Sequence, residues 1–69
     1  MTKQMLKRQI TRYRNDEIRF KKKADRYYAA WKETGNKNDY SMSQNYYSQA
    51  KRAKAIYTEY ERQLAKIAA

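Results

Sequence analysis

The chain contains no cysteine, no histidine and no proline, and only one glycine. Without cysteine there is no disulfide and no thiolate. Without histidine the usual general base near neutral pH and the commonest nitrogen ligand are missing too. Metal binding is left to carboxylates, hydroxyls and carbonyls, and no carboxylates cluster at the spacing of a cation-binding loop. Ser41, Ser43 and Ser48 have no histidine to activate them, and one glycine cannot build a phosphate-cradling loop. The chain therefore reads as non-catalytic, with no cofactor and no metal site.

Large aliphatic residues are also scarce: valine is absent, and there are only two leucines and four isoleucines. No stretch approaches the roughly 18 consecutive apolar residues of a membrane span. Residues Met1 to Ile10 lack the apolar centre of a signal peptide. The reading is a cytoplasmic protein with no membrane span.

Acidic residues are outnumbered, 7 against 17 lysines and arginines, which leaves a formal charge of +10 on 69 residues. Self-repulsion at that density opposes a compact monomer. A chain this short forms one domain at most, and it lacks the disulfide or metal that often reinforces small folds. Self-association or a partner is the remaining source of stability. A polyanion would relieve the charge, and nucleic acid is the commonest one in a cell.

What is present points to helix. The one punctuated region is ETGNKNDYS, where Gly35 suits a helix C-terminus and Ser41 with Gln44 suits a capping box. The expected fold is all-α, an antiparallel two-helix hairpin with a coiled-coil-like seam. It forms a single domain over residues 1–69, with helices at about 2–34 and about 42–68 joined by a loop at about 35–41.

Leu6, Ile10, Tyr13, Glu17, Phe20, Ala24, Tyr27 and Trp31 recur in alternating steps of four and three. Tyr46, Ala50, Ala53, Tyr57, Tyr60, Leu64 and Ile67 repeat that pattern. The expected register pairs Trp31 with Tyr46, Tyr27 with Ala50, Ala24 with Ala53 and Phe20 with Tyr57. Beyond these, Glu17 meets Tyr60, Tyr13 meets Leu64 and Ile10 meets Ile67. Glu17, the one polar member of the first row, would accept a hydrogen bond from the Tyr60 phenol. Five of the eight tyrosines fall on the seam, which makes it wetter than a leucine seam. Ile18, Tyr28, Tyr47 and Ile56 flank it, either widening the core or forming a partner or dimer interface, with a four-helix bundle as the dimeric form.

The remaining surface of the first helix is basic. Lys7, Arg14 and Lys21 recur every seven residues, as do Arg12, Arg19 and Arg26 on the opposite flank. Arg8 and Lys22 face outward with Lys23 beside them. Residues 1–34 hold eleven basic and four acidic side chains, a net +7, against +3 for the remainder. Lys3, Lys7, Arg8, Arg12 and Arg14 all precede the first acid, Asp16, although a helix start favours negative charge. An anion docked there would reverse that penalty. Several of the charges are spaced for pairing within the helix, Glu17 with Lys21, Arg12 with Asp16 and Lys21 with Asp25, as on an ordinary solvated face.

Lys7, Arg8, Arg12, Arg14, Arg19, Lys21, Lys22, Lys23 and Arg26 are thus the candidate polyanion-binding set, with Arg12, Arg19 and Arg26 the best placed for base edges. The expected function is a small basic binding protein that associates with nucleic acid. The alternative is a protein-binding inhibitor or adaptor hairpin of the phage or mobile-element type, anti-CRISPR-like, acting on nucleic-acid-processing machinery. Its partner would be an acidic or nucleic-acid-binding protein, and the tyrosine-rich and arginine-rich composition suits such an interface equally.

Overall fold

A computed structural model describes residues 1–68. Two helices of equal length, α1 (Lys3–Thr34) and α2 (Lys37–Ala68), fold back on each other as an antiparallel hairpin. The result is a rod of 51 × 14 × 13 Å. None of the helices described is long and apolar enough to cross a membrane.

The ends of α1 follow from side chains that satisfy its unpaired backbone groups. Thr2 caps the start, its hydroxyl accepting from the Met5 amide at 3.2 Å. Gly35 terminates the helix in the left-handed conformation, φ 71°, and its amide donates to the Trp31 carbonyl at 2.7 Å. Only glycine adopts that backbone without strain.

The second helix begins earlier than the sequence suggested. Asn36, not Ser41, is its cap: the Asn36 side-chain oxygen accepts from the Asn38 amide at 2.9 Å, and its carbonyl accepts from Asp39 at 3.1 Å. Lys37, Asn38 and Asp39 are therefore the first turn of α2, with Asp39 favourably placed against the helix dipole. Asparagine and aspartate serve loops and caps alike, so a polar cluster read as a long loop is here a two-residue turn, Gly35 and Asn36, whose second member is the cap.

Shortening the loop moves the register by one seam step towards the turn. Tyr57, rather than Tyr60, donates to Glu17, at 2.9 Å. Tyr60 instead stands against Tyr13, centroids 6.1 Å apart, and Tyr27 stacks on Tyr46 at 5.7 Å rather than facing Ala50. Tyr46 also meets Phe20 at 6.2 Å, so three rings run nearly parallel through the middle of the seam. The same rows meet as expected, but the partners of Glu17, Tyr13 and Tyr27 are displaced. Ile67, expected opposite Ile10, is 51 % exposed.

The buried apolar side chains are Leu6, Ile10, Ala24, Ala50 and Ala53. Three of the five are alanines, which lets the backbones approach closely but buries little area. Accessible surface is 5461 Å², against roughly 4,600 Å² for a compact globule of this mass. The hydrophobic driving force is correspondingly small.

The register change also carries Ser43 into the interior. It is completely buried, and its Oγ has no hydrogen-bond partner. A buried hydroxyl without a partner costs about 1–3 kcal/mol. Replacing Ser43 by alanine is expected to stabilise the hairpin by about 1 kcal/mol and to raise the melting temperature by roughly 4–8 °C. A lower melting temperature would mean that the hydroxyl is satisfied. Ala50→Leu should act in the opposite direction, destabilising by about 1–3 kcal/mol through overpacking at a position only 2 % exposed. An unchanged melting curve would contradict the close approach of the helices.

Candidate polyanion-binding surface

The charges on α1 divide according to whether an acid is within reach. Arg14 crosses to α2 and meets Glu61 at 2.7 Å, with its guanidinium 5.5 Å from the Tyr57 ring. Lys21 lies 3.7 Å from Glu17, and Arg19 pairs with Asp16. The remaining six of the nine candidate cations, Lys7, Arg8, Arg12, Lys22, Lys23 and Arg26, have no carboxylate partner among the described residues. Arg12 sits 5.9 Å from the centroid of Tyr13, and Lys23 5.5 Å from that of Tyr46, so aromatic faces rather than acids receive them.

Two of the expected pairings within α1 are replaced. Asp16 takes Arg19 rather than Arg12, and Asp25 accepts from the Tyr47 hydroxyl of α2 rather than pairing with Lys21. Both acids are used to hold residues in place. That leaves Arg12 and Arg26 unneutralised, while the Asp16 pair restrains Arg19, the third arginine expected at base edges.

The four flanking apolar residues do not assemble into one face. Tyr28 packs on Trp31, with Lys32 Nζ 5.0 Å from its ring, and Tyr47 is held by Asp25. Ile56 lines a separate groove with Tyr13, Phe20 and Ala53, and it is 38 % exposed. Ile18, 52 % exposed, borders a shallow depression with Arg12, Asn15 and Arg19.

Sequence reasoning missed two features. The Arg14 to Glu61 bridge depends on register, and only the correct loop length reveals it. The grouping of Trp31 with Tyr28 and Tyr40 at the turn stays hidden when Trp31 is assigned wholly to the seam. Trp31 and Tyr40 have centroids 4.8 Å apart.

The electrostatics of the seam rest on phenol to carboxylate hydrogen bonds. The bond to Glu17 raises the Tyr57 pKa above its ordinary 10.0, and burial and the nearby negative charge act in the same direction. Tyr47 is raised for the same reasons, its bond to Asp25 being the largest cause. The chain matches no protein-family model, no curated protein and no solved structure.

A raised tyrosine pKa has a definite consequence for stability. The folded state holds the Tyr57 proton more tightly than the unfolded chain does, so its contribution is complete below about pH 10 and is lost as pH rises through the folded value. Tyr57→Phe is expected to lower the melting temperature at neutral pH and to make the decline above about pH 10 shallower than in the parent. Parallel alkaline profiles for parent and variant would show that the hydrogen bond to Glu17 is not felt by the fold.

Proposed function

We propose that this hairpin is a small, non-catalytic, cytoplasmic binding protein that associates with nucleic acid through the cation band of α1. The observation that carries this reading is the set of six band cations left without a carboxylate. Intramolecular pairing accounts for only Arg14, Arg19 and Lys21. From Lys7 to Arg26 the band extends about 30 Å along α1, using the helical rise per residue. Phosphates arrayed on a strand match such a row of point charges, and each contact releases condensed counterions. Affinity then comes chiefly from backbone contacts that position the protein and carry little sequence information.

The groove beside Ile56 favours the second reading, an inhibitor or adaptor that docks on an acidic or nucleic-acid-binding protein. Tyrosine and arginine anchors around an apolar groove suit such an interface. In that case a partner would be bound through Ile56, and the cation band would serve only to accelerate encounter.

The two readings separate in a variant carrying Lys7→Gln, Arg8→Gln, Lys22→Gln and Arg26→Gln. None of the four forms an ion pair among the described residues, so the helices should remain intact by circular dichroism. In fluorescence anisotropy with labelled DNA, the slope of log affinity against log salt is expected to fall by roughly 3, at about 0.7–0.9 for each phosphate that the variant no longer neutralises. An unchanged affinity and slope would overturn the proposal.

A further inference from the structure

Resting on the nucleic-acid reading of α1, we infer that the closed end of the hairpin is a base-stacking platform and that the preferred ligand is a single strand. Tyr28, Trp31 and Tyr40 form one aromatic cluster there, with centroid separations of 5.5 Å and 4.8 Å. Tyr40 is 42 % exposed, while Tyr28 and Trp31 are half-buried, so the cluster is supported from below and open above. Lys32 lies 5.0 Å from the Tyr28 ring, which brings a positive charge to the platform.

This cluster differs from the other aromatics in how it is used. Tyr47 and Tyr57 commit their hydroxyls to Asp25 and Glu17, and Tyr27, Phe20 and Tyr46 stack on one another inside the seam. Those rings hold the fold together. At the turn, by contrast, the Tyr28 and Tyr40 hydroxyls and the Trp31 indole make no hydrogen bond among the described residues.

Position relative to the charges selects the ligand. Lys7, Arg14, Lys21 and Tyr28 stand seven residues apart on one helical row. Arg14 and Lys21 are held by Glu61 and Glu17, so the unpaired charge on this row is Lys7 at its start and Lys32 beside the Tyr28 ring at the aromatic end. A backbone following that row delivers its bases to Tyr28, Trp31 and Tyr40. Bases within a duplex are already stacked and present only their edges, so a duplex can occupy the cations but leaves the platform empty. An unpaired base can stack on a ring whatever its identity, which makes the platform tolerant of sequence.

Trp31 is the only tryptophan, so its emission reports on this end of the molecule. The test uses the full chain with three labelled probes of equal phosphate number: an oligothymidylate of about 15 nucleotides, a duplex whose strands are closed by linkers without bases, and an abasic single strand. The expected result is that the oligothymidylate quenches Trp31 and binds about tenfold or more tightly than the other two, the factor expected for one or two stacked bases. Neither the duplex nor the abasic strand should quench. Tyr40→Ala should remove most of the preference while leaving the salt slope unchanged, and Tyr40→Leu, which keeps apolar cover on Trp31, should do the same if the alanine variant melts early.

Equal binding of all three probes with unchanged Trp31 emission would overturn the platform and leave the phosphate row standing. Failure of every probe to bind would overturn both, and would leave the aromatic end as a docking point for a protein.

Discussion

The turn at Gly35 and Asn36 is the constraint on which the rest of the hairpin depends. Gly35 supplies the left-handed backbone that stops α1, and Asn36 at once supplies the side-chain oxygen that starts α2. With no longer loop to absorb slack, the position of the cap sets which residue of α2 meets which residue of α1. The phenol that reaches Glu17, the rings that stack on Tyr46 and the burial of Ser43 all follow from that register. A seam built largely of alanine and tyrosine cannot impose register by itself as firmly as interlocking leucine and isoleucine would.

The same seam governs the electrostatics. A phenol packed between helices needs an acceptor, and the chain has only 7 acidic residues to provide one. Glu17 and Asp25 are taken by Tyr57 and Tyr47, and Asp16, Glu59 and Glu61 are each held by an arginine. Five of the seven acids are thus engaged, three of them across the two helices and two within one helix. The outer cations of α1 are left to solvent and counterions, and a strand of phosphates can replace those counterions with a gain in entropy. Core chemistry and surface charge are thus linked at two acids: Asp25 and Glu17 accept from phenols, and of the two only Glu17 also meets a cation, Lys21.

Much of the architecture was legible because it rests on periodicity. Steps of four and three in both halves identified the two helices and their inward rows, and Gly35 marked the end of the first. The register was not legible, because Asn36, Asn38, Asp39 and Ser41 are all competent caps or loop residues, and choosing Ser41 instead of Asn36 displaces the partners of Glu17, Tyr13 and Tyr27 by one step. The basic band was visible from composition and spacing. Which of its members are neutralised was not, since Arg14 meets Glu61 only through the tertiary register and Asp16 takes Arg19 over Arg12 among equally reachable neighbours. The flanking set of Ile18, Tyr28, Tyr47 and Ile56 shows the limit of helical wheels: residues close to the seam on two helices need not share a face once the helices are docked.

The most direct measurement is a map of amide chemical-shift changes in isotopically labelled protein on adding single-stranded DNA at moderate salt. Binding through the cation band predicts that the largest changes follow Lys7, Arg8, Lys22 and Arg26 on the outer side of α1 and run to the turn around Trp31 and Tyr40. Changes centred instead on Ile56 and the outer side of α2, or no changes at all, would contradict it.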